Sequence, residues 1–204
     1  MQMCCEADNS TGHAEAVSLL GLVHLRHGRD QEATGHQQRA LTVYREIADR
    51  HGEAEVLTRL ALVDRRAGRT GQALGHLDHA LDLARGLEAR LVETVVLNGL
   101  GETLLATGQA RPAALRLTAA LTLAEQSGDR DELARAHRGL AAALTLAEQS
   151  GDRDELARAH RGLAAAHAAL GDRDRAHRHR CEARTRYRAL GVPEADELDA
   201  DHAR

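Results

Sequence analysis

The sequence contains no Lys, no Trp and no Phe, and its 204 residues include only two Tyr, two Pro and three Cys. Without large aromatic side chains, and with Ala, Leu and Val supplying nearly all of the apolar set, the core has to come from closely approaching helices. A sheet sandwich packed on aromatic and β-branched residues is not available to this composition. The scarcity of Pro leaves long stretches in which nothing interrupts a helix. Cys4, Cys5 and Cys181 show no metal-ligand spacing, so no metal and no cofactor are expected. An odd number of cysteines fits a reducing compartment.

The opening stretch "MQMCCEADNSTGH" lacks both a basic segment and an apolar segment of the secretory kind. No run approaches the roughly 20 apolar residues that a membrane helix needs. The expected location is therefore cytoplasmic, with no membrane partner. A net charge of -4 provides no overall field for nucleic acid, so proteins or peptides are the expected partners. Catalytic signatures are missing too: there is no phosphate-cradling loop, no Ser elbow and no pair of carboxylates in a pocket-forming pattern. The glycines of "GLGETLLATG" follow no strand. The chain is not expected to be an enzyme.

What the sequence does have is repetition. Gly28, Gly68 and Gly108 close similar phrases 40 residues apart, and the same offset relates Leu20, Leu60, Leu100 and Leu140. It also relates Gly21, Ala61, Gly101 and Ala141, then Ala33, Ala73 and Ala113, then Ala40, Ala80 and Ala120. Superimposed on this period is a perfect copy: residues 121–143 recur letter for letter as 144–166, an offset of 23. The corresponding glycine of the last unit, Gly171, lies 63 beyond Gly108, which is one period plus one copy. A regular array of about four helix pairs has thus received an insertion.

Each period predicts a helix, a Gly turn and a second helix. In the first helix Leu57, Leu60, Ala61 and Val63 or Asp64 form one stripe at three- and four-residue steps. In the second, Ala73, Leu77, Ala80, Leu81 and Ala84 do the same. Gly at the first helix's end suits the left-handed closing residue. Each copy of the duplication carries its own helix start, Asp129 with Glu132 and Asp152 with Glu155. Between Asp131 and Gly151 the front of a first-type helix runs into the back of a second-type helix without a breaker. The insertion therefore adds one helix, for about nine in all.

The Leu20-Gly21, Gly28, Ala33 and Ala40 columns resemble the small-residue skeleton of a tetratricopeptide repeat, although the period is longer than that family's usual 34 and its aromatic and Pro positions are absent. Such longer repeats are similar to the C-terminal arrays of large bacterial NTPase-linked transcriptional regulators. The expected fold is all-α, a right-handed solenoid of antiparallel helix pairs. It comprises residues 12–191, preceded by a disordered segment 1–11 and followed by an acidic tail 192–204.

The resemblance implies a non-catalytic protein-interaction scaffold whose first-type helices line a concave groove for a peptide or partner helix. Residues three before and one after the small position would look into it. The candidates on this basis are Thr58, Asn98, Glu102, Arg138 and Arg161. Arg138 and Arg161 are the same residue in the two copies and are expected to double one cationic position. Asn98, unusual inside a helix, is expected to hold a peptide backbone. Two other functions are compatible with the sequence: a sensor of a signalling peptide, and a nucleic-acid accessory protein using the Arg-rich last helix, "DRDRAHRHRCEARTRYRAL". That helix also suits a polar cap on the stack. His177 and Cys181 share a face while His179 points away, so these residues do not predict a metal site.

Overall fold

The computed structural model describes residues 2–195, with side chains from Ser10 onward. The described residues form nine α-helices and no strand: α1 (Gln2–Arg26), α2 (Asp30–Glu46), α3 (Arg50–Arg66), α4 (Thr70–Gly86), α5 (Arg90–Ala106), α6 (Ala110–Ser127), α7 (Arg130–Ser150), α8 (Arg153–Ala169) and α9 (Arg173–Leu190). From α2 to α7 each helix starts 20 residues after the last; α8 starts 23 after α7. Helix α1 already runs from Gln2, through the stretch expected to be disordered, where no Pro intervenes. Most of the acidic tail lies outside the described residues. The chain divides into two compact units, Met1–Gly99 and Leu100–Arg204.

In the first unit α1 packs on α2, α3 on α4, and α2 on α3. Helices α3 and α4 bury the stripes read from the sequence, including Asp64. Leu57, Leu77 and Val63 are fully enclosed, and Leu25, Ala33 and Val63 form a cluster flanked by Leu22 and Leu62. Helix α1 approaches α2 closely because residue 21 lacks a side chain: a Cβ there would lie 2.6 Å from Gln37 Nε2. Leu20 is 51% exposed although its counterparts Leu60 and Leu100 are buried, so the column of leucines is not equivalent at the first helix.

Gly28 and Gly68 close α1 and α3 with φ of +71° and +75°. At the ends of α2 and α4 the same left-handed conformation falls to Ala48 (φ 56°) and Glu88 (φ 53°). A Cβ in this region costs roughly 1–2 kcal/mol, and glycine returns only part of that as extra freedom in the unfolded chain.

In the second unit α6 packs on α7, α7 on α8, α8 on α9, and α6 also touches α8 directly. Leu117 of α6 occupies the space left by two glycines: a Cβ on Gly101 would come 2.4 Å from Leu117 Cγ, and one on Gly139 would come 2.7 Å from Leu117 Cδ2. Leu140 of α7 repeats the arrangement against Gly162 of α8, where a Cβ would lie 2.8 Å from its Cδ2. The inserted helix α7 is therefore packed on both sides and does not bulge out. It is one unbroken helix of 21 residues against 17 for α8. Asp129 accepts the amides of Asp131 and Glu132, and Asp152 those of Asp154 and Glu155.

Two stability outcomes follow from this packing. Glu88→Gly, at a solvent-exposed turn, is expected to raise stability by about 0.5–1 kcal/mol, read as a higher urea midpoint at unchanged slope; a lower midpoint would contradict the strained-turn account. Excision of residues 144–166 joins Ala143 to His167 and produces a helix identical in sequence to α8. Gly139 then keeps its seat for Leu117 and α9 keeps an α8-like neighbour. The shortened chain is expected to fold with unchanged helicity per residue in circular dichroism, and aggregation would show that α7 is indispensable.

Candidate partner-binding site

The first unit holds a polar cavity of about 700 Å³ lined by α2, α3 and α4, with Gln31, Gln38, Gln72, Asp64, Arg69 and His76 among its walls. Asp64 replaces an apolar residue in the α3 stripe and is almost fully buried. Arg69 supports it through Nε at 2.8 Å and Nη2 at 2.7 Å to Oδ1, and His76 Nδ1 faces Oδ2 at 3.0 Å. Both carboxylate oxygens are thereby occupied, so Asp64 serves the packing of the α3–α4 pair. Ser18 of α1 and Gln37 of α2 are completely buried. Gln37 Nε2 donates to the Ser18 carbonyl at 2.8 Å, and Arg59 Nη1 donates to Ser18 Oγ at 2.7 Å.

The candidate residues divide between the two units, Thr58 and Asn98 in the first and Glu102, Arg138 and Arg161 in the second. Thr58 is half-buried and its hydroxyl donates to the Ala54 carbonyl at 2.8 Å, the usual resting state of a helical Thr. Asn98 is 0% exposed and presents nothing to solvent, so the expectation that it grips a peptide at the surface is not met by its position. Glu102 is engaged by a residue the sequence did not single out: Arg135 of α7 donates through Nε and Nη2 to both of its oxygens, at 2.6 and 2.9 Å. Arg135 also reaches Glu132 at 3.3 Å. Burial opposes the Arg135 charge, but its bonds to Glu102 and Glu132 outweigh that and raise its pKa. This forked pair ties the end of α5 to α7.

Arg138 is exposed on α7, whereas Arg161 lines a groove of about 280 Å³ between α6 and α8. The two copies of the arginine thus do not double one position. The cause is the extra helix: α6 and α8 touch each other directly and α7 packs against both, so equivalent residues of α7 and α8 face different surroundings. The walls of the groove are Ala114, Leu115, Thr118, Ala119 and Thr122 from α6, and Arg158 and Arg161 from α8. Leu115 is 53% exposed. Arg158 is steadied by Asp154, whose Oδ2 accepts from Nε at 3.0 Å and so raises the guanidinium pKa. At one end, Asp154 and Glu155 meet the start of α6, through Arg111 Nη1 at 3.6 Å and the Arg111 amide at 3.3 Å. This surface combines apolar walls from α6 with two cations from α8, one of them held in place by Asp154.

Four histidines join α7, α8 and α9. His137 Nε2 lies 3.3 Å from His167 Nε2, His160 Nδ1 lies 2.9 Å from His179 Nδ1, and the His167 and His179 rings stack at 5.3 Å. Each such contact needs a neutral partner. Burial is the main cause that lowers all four pKa values, with Arg186, Arg178, Arg175 and Arg138 nearby adding to it. His160 falls to about 4. Among the described residues no group of three or more His, Cys, Asp or Glu is arranged to hold a metal ion, and no helix is long and apolar enough to cross a membrane.

The tetratricopeptide repeat family model matches residues 12–86 and 53–126, together more than half of the chain, and the chain belongs to that family. Its fold is similar to that of BtubC (BKLC) from P. vanneervenii, at 18% identity and a TM-score of 0.51, covering 92% of this chain and 90% of that one. It is also similar to a putative kinesin light chain of Podosopora anserina with nearly identical TPR-like repeats, at 16% identity and a TM-score of 0.58, covering 88% and 97% of the two chains. At such identities the likeness is one of fold. The comparison with curated proteins gives no match.

The histidine cluster makes the second unit acid-sensitive. The folded pKa of His160 is below its ordinary value of 6.5, so the unfolded chain takes up the proton first as pH falls. The stabilisation is complete above 6.5 and is lost between there and about 4. From His160 alone the loss between pH 7 and pH 5 is about 2 kcal/mol. Urea unfolding at the two pH values checks this: His160→Asn should flatten the pH dependence, and an equal slope in the variant would place the acid sensitivity elsewhere.

Proposed function

We propose that this chain is a non-catalytic protein-interaction scaffold and that its second unit binds an acidic, partly apolar segment of a partner protein in the α6–α8 groove. The observation that carries the proposal is the joining, in one groove, of the exposed Leu115 with the guanidinium groups of Arg158 and Arg161. Leu115 offers apolar area that gains by being covered. Arg158 is held in place by Asp154, which lowers the ordering cost of using it as a recognition group. Arginine's planar fork suits a carboxylate better than a point charge does.

The occupant that fits is an extended segment alternating carboxylates with Leu-sized residues. Partly exposed charge pairs contribute about 0.5–1 kcal/mol each, so affinity in the micromolar range and marked salt sensitivity are expected. The family's fold supports the scaffold reading. A position within a larger transcriptional regulator would place the same groove under the control of a partner domain.

The test uses fluorescence anisotropy with a labelled peptide of alternating Glu and Leu, and a Lys–Leu counterpart as control. The acidic peptide should bind, and Arg161→Glu should weaken it by about tenfold or more, since it replaces an attraction with a repulsion. Arg138→Glu, outside the groove, should change it little. Equal effects of the two substitutions would remove the α6–α8 groove as the site.

A further inference from the structure

Helix α1 carries apolar residues on two opposite sides. Ala14, Gly21 and Leu25 face the first unit and are buried. Ala16, Leu19, Leu20 and Val23 lie roughly opposite them, on a helix that turns about 100° per residue, and all four are exposed. Leu19, Leu20 and Val23 leave 49%, 51% and 47% of their surface in solvent. One period later, Ala16, Leu20 and Val23 correspond to Val56, Leu60 and Val63 of α3, and those three are buried. Elements that precede α3 help to enclose them: Val63 clusters with Leu25 of α1 and Ala33 of α2, and Leu60 borders the same cavity as Gln31, Thr34 and Gln38 of α2. The outer stripe of α1 thus has the residue pattern of a helix-to-helix contact while standing half in solvent. A helix that is apolar on both sides belongs in an interior, and a clustered apolar patch marks an interaction surface.

We propose that this stripe is a homodimer interface, on which a second copy of the chain lays its own α1 antiparallel to the first. The stripe complements itself. It runs from small residues, the exposed Gly12 and Ala16, to the larger Leu19, Leu20 and Val23, so an antiparallel copy sets Ala16 against Val23 and Leu19 against Leu20 around a two-fold axis. Charge selects the same arrangement. Glu15 and Arg26 are exposed on the flank of the stripe beside Leu19, and their separation is about three turns. An antiparallel copy brings Glu15 within an arginine's reach of Arg26 of the second copy, twice over, whereas a parallel copy would set like charges together. Other surfaces of the chain fit less well: the remaining exposed large hydrophobics, Leu87, Leu91, Leu115 and Leu170, form no stripe on one helix, and α9 turns Arg173, Arg175 and Arg178 outward. The contact spans only a few turns of one helix, less than an obligate interface needs, so the dimer is concentration-dependent with a dissociation constant in the micromolar range. None of its residues lines the α6–α8 groove, and the dimer stands apart from the function proposed above.

The experiment is analytical ultracentrifugation of the full chain at low salt, from low-micromolar to several hundred micromolar, where the mass should rise from monomer to dimer. Leu20→Glu should weaken the association by about a hundredfold or more, because the two-fold axis buries two unpaired carboxylates at once. Leu20 is exposed in the single chain, so the helicity of the dilute variant should be unchanged. Glu15→Arg alone and Arg26→Glu alone should each weaken the dimer by about tenfold, and the two together should restore it. These charge variants leave the apolar stripe intact, so they carry the test even if Leu20→Glu disturbs α1. A chain that stays monomeric over the whole range overturns the proposal. So does a dimer that survives Leu20→Glu, since it must use another surface. Single reversals without effect, or not rescued by their combination, overturn the antiparallel arrangement and with it the self-complementarity on which the second copy was chosen.

Discussion

Leu117 projects from α6 into space that exists only because residues 101 and 139 have no Cβ. A methyl group at either position would stand well inside van der Waals contact, and a packed core relieves such overlap by moving helices, at about 1–3 kcal/mol. Everything C-terminal in the second unit inherits its position from this contact. Helix α7 lies against α6 at Gly139, Leu140 then seats at Gly162 to place α8, and α8 carries α9. The same device begins the first unit, where Gly21 admits Gln37, except that a polar side chain fills the place and Ser18 has to satisfy it.

This chain of seats explains how a 23-residue insertion was absorbed. Helix α7 uses Gly139 in the manner of a first-type helix and Leu140 in the manner of a second-type helix, so it receives one neighbour and delivers to the next. The copies retain what is local. Asp129 and Asp152 cap alike, Ser127 and Ser150 donate to the carbonyls of Ala124 and Ala147, and Gly128 and Gly151 share a φ of 72°. They differ in what is tertiary. Arg135 forks onto Glu102 while Arg158 turns to Asp154. Ala141 is exposed and Ala164 is buried.

The same division marks what could be read from sequence. The helices, their glycine ends, the apolar stripes and the joined helix α7 follow from rules acting over a few residues, and the columns of small residues carried the family. The site was legible only in part, because the groove positions were transferred along a period that the insertion shifts. Arg161 reached a groove, but its copy Arg138 did not; Asn98 and Ser18, polar and at the expected register, were drawn into the interior. Arg135, Arg158 and Leu115 had no signal of their own. An acid three or four residues before an arginine on one helix, as in Asp154 and Arg158, is a pattern that could have marked them.

Duplicated sequence in changed surroundings also bears on the acid response. His137 and His160 are the same residue of the two copies, and each is paired with another histidine, yet His160 is the more deeply buried and lies beside Arg186. Protonating it sets a cation against an arginine in a place that water reaches poorly, which is why its pKa falls furthest. Because His160 sits on α8 next to Arg161, loosening of the α8–α9 contact by acid would act on the helix that forms one wall of the groove. The α6 wall is instead seated through Leu117 on two glycines, a contact that contains no titrating group.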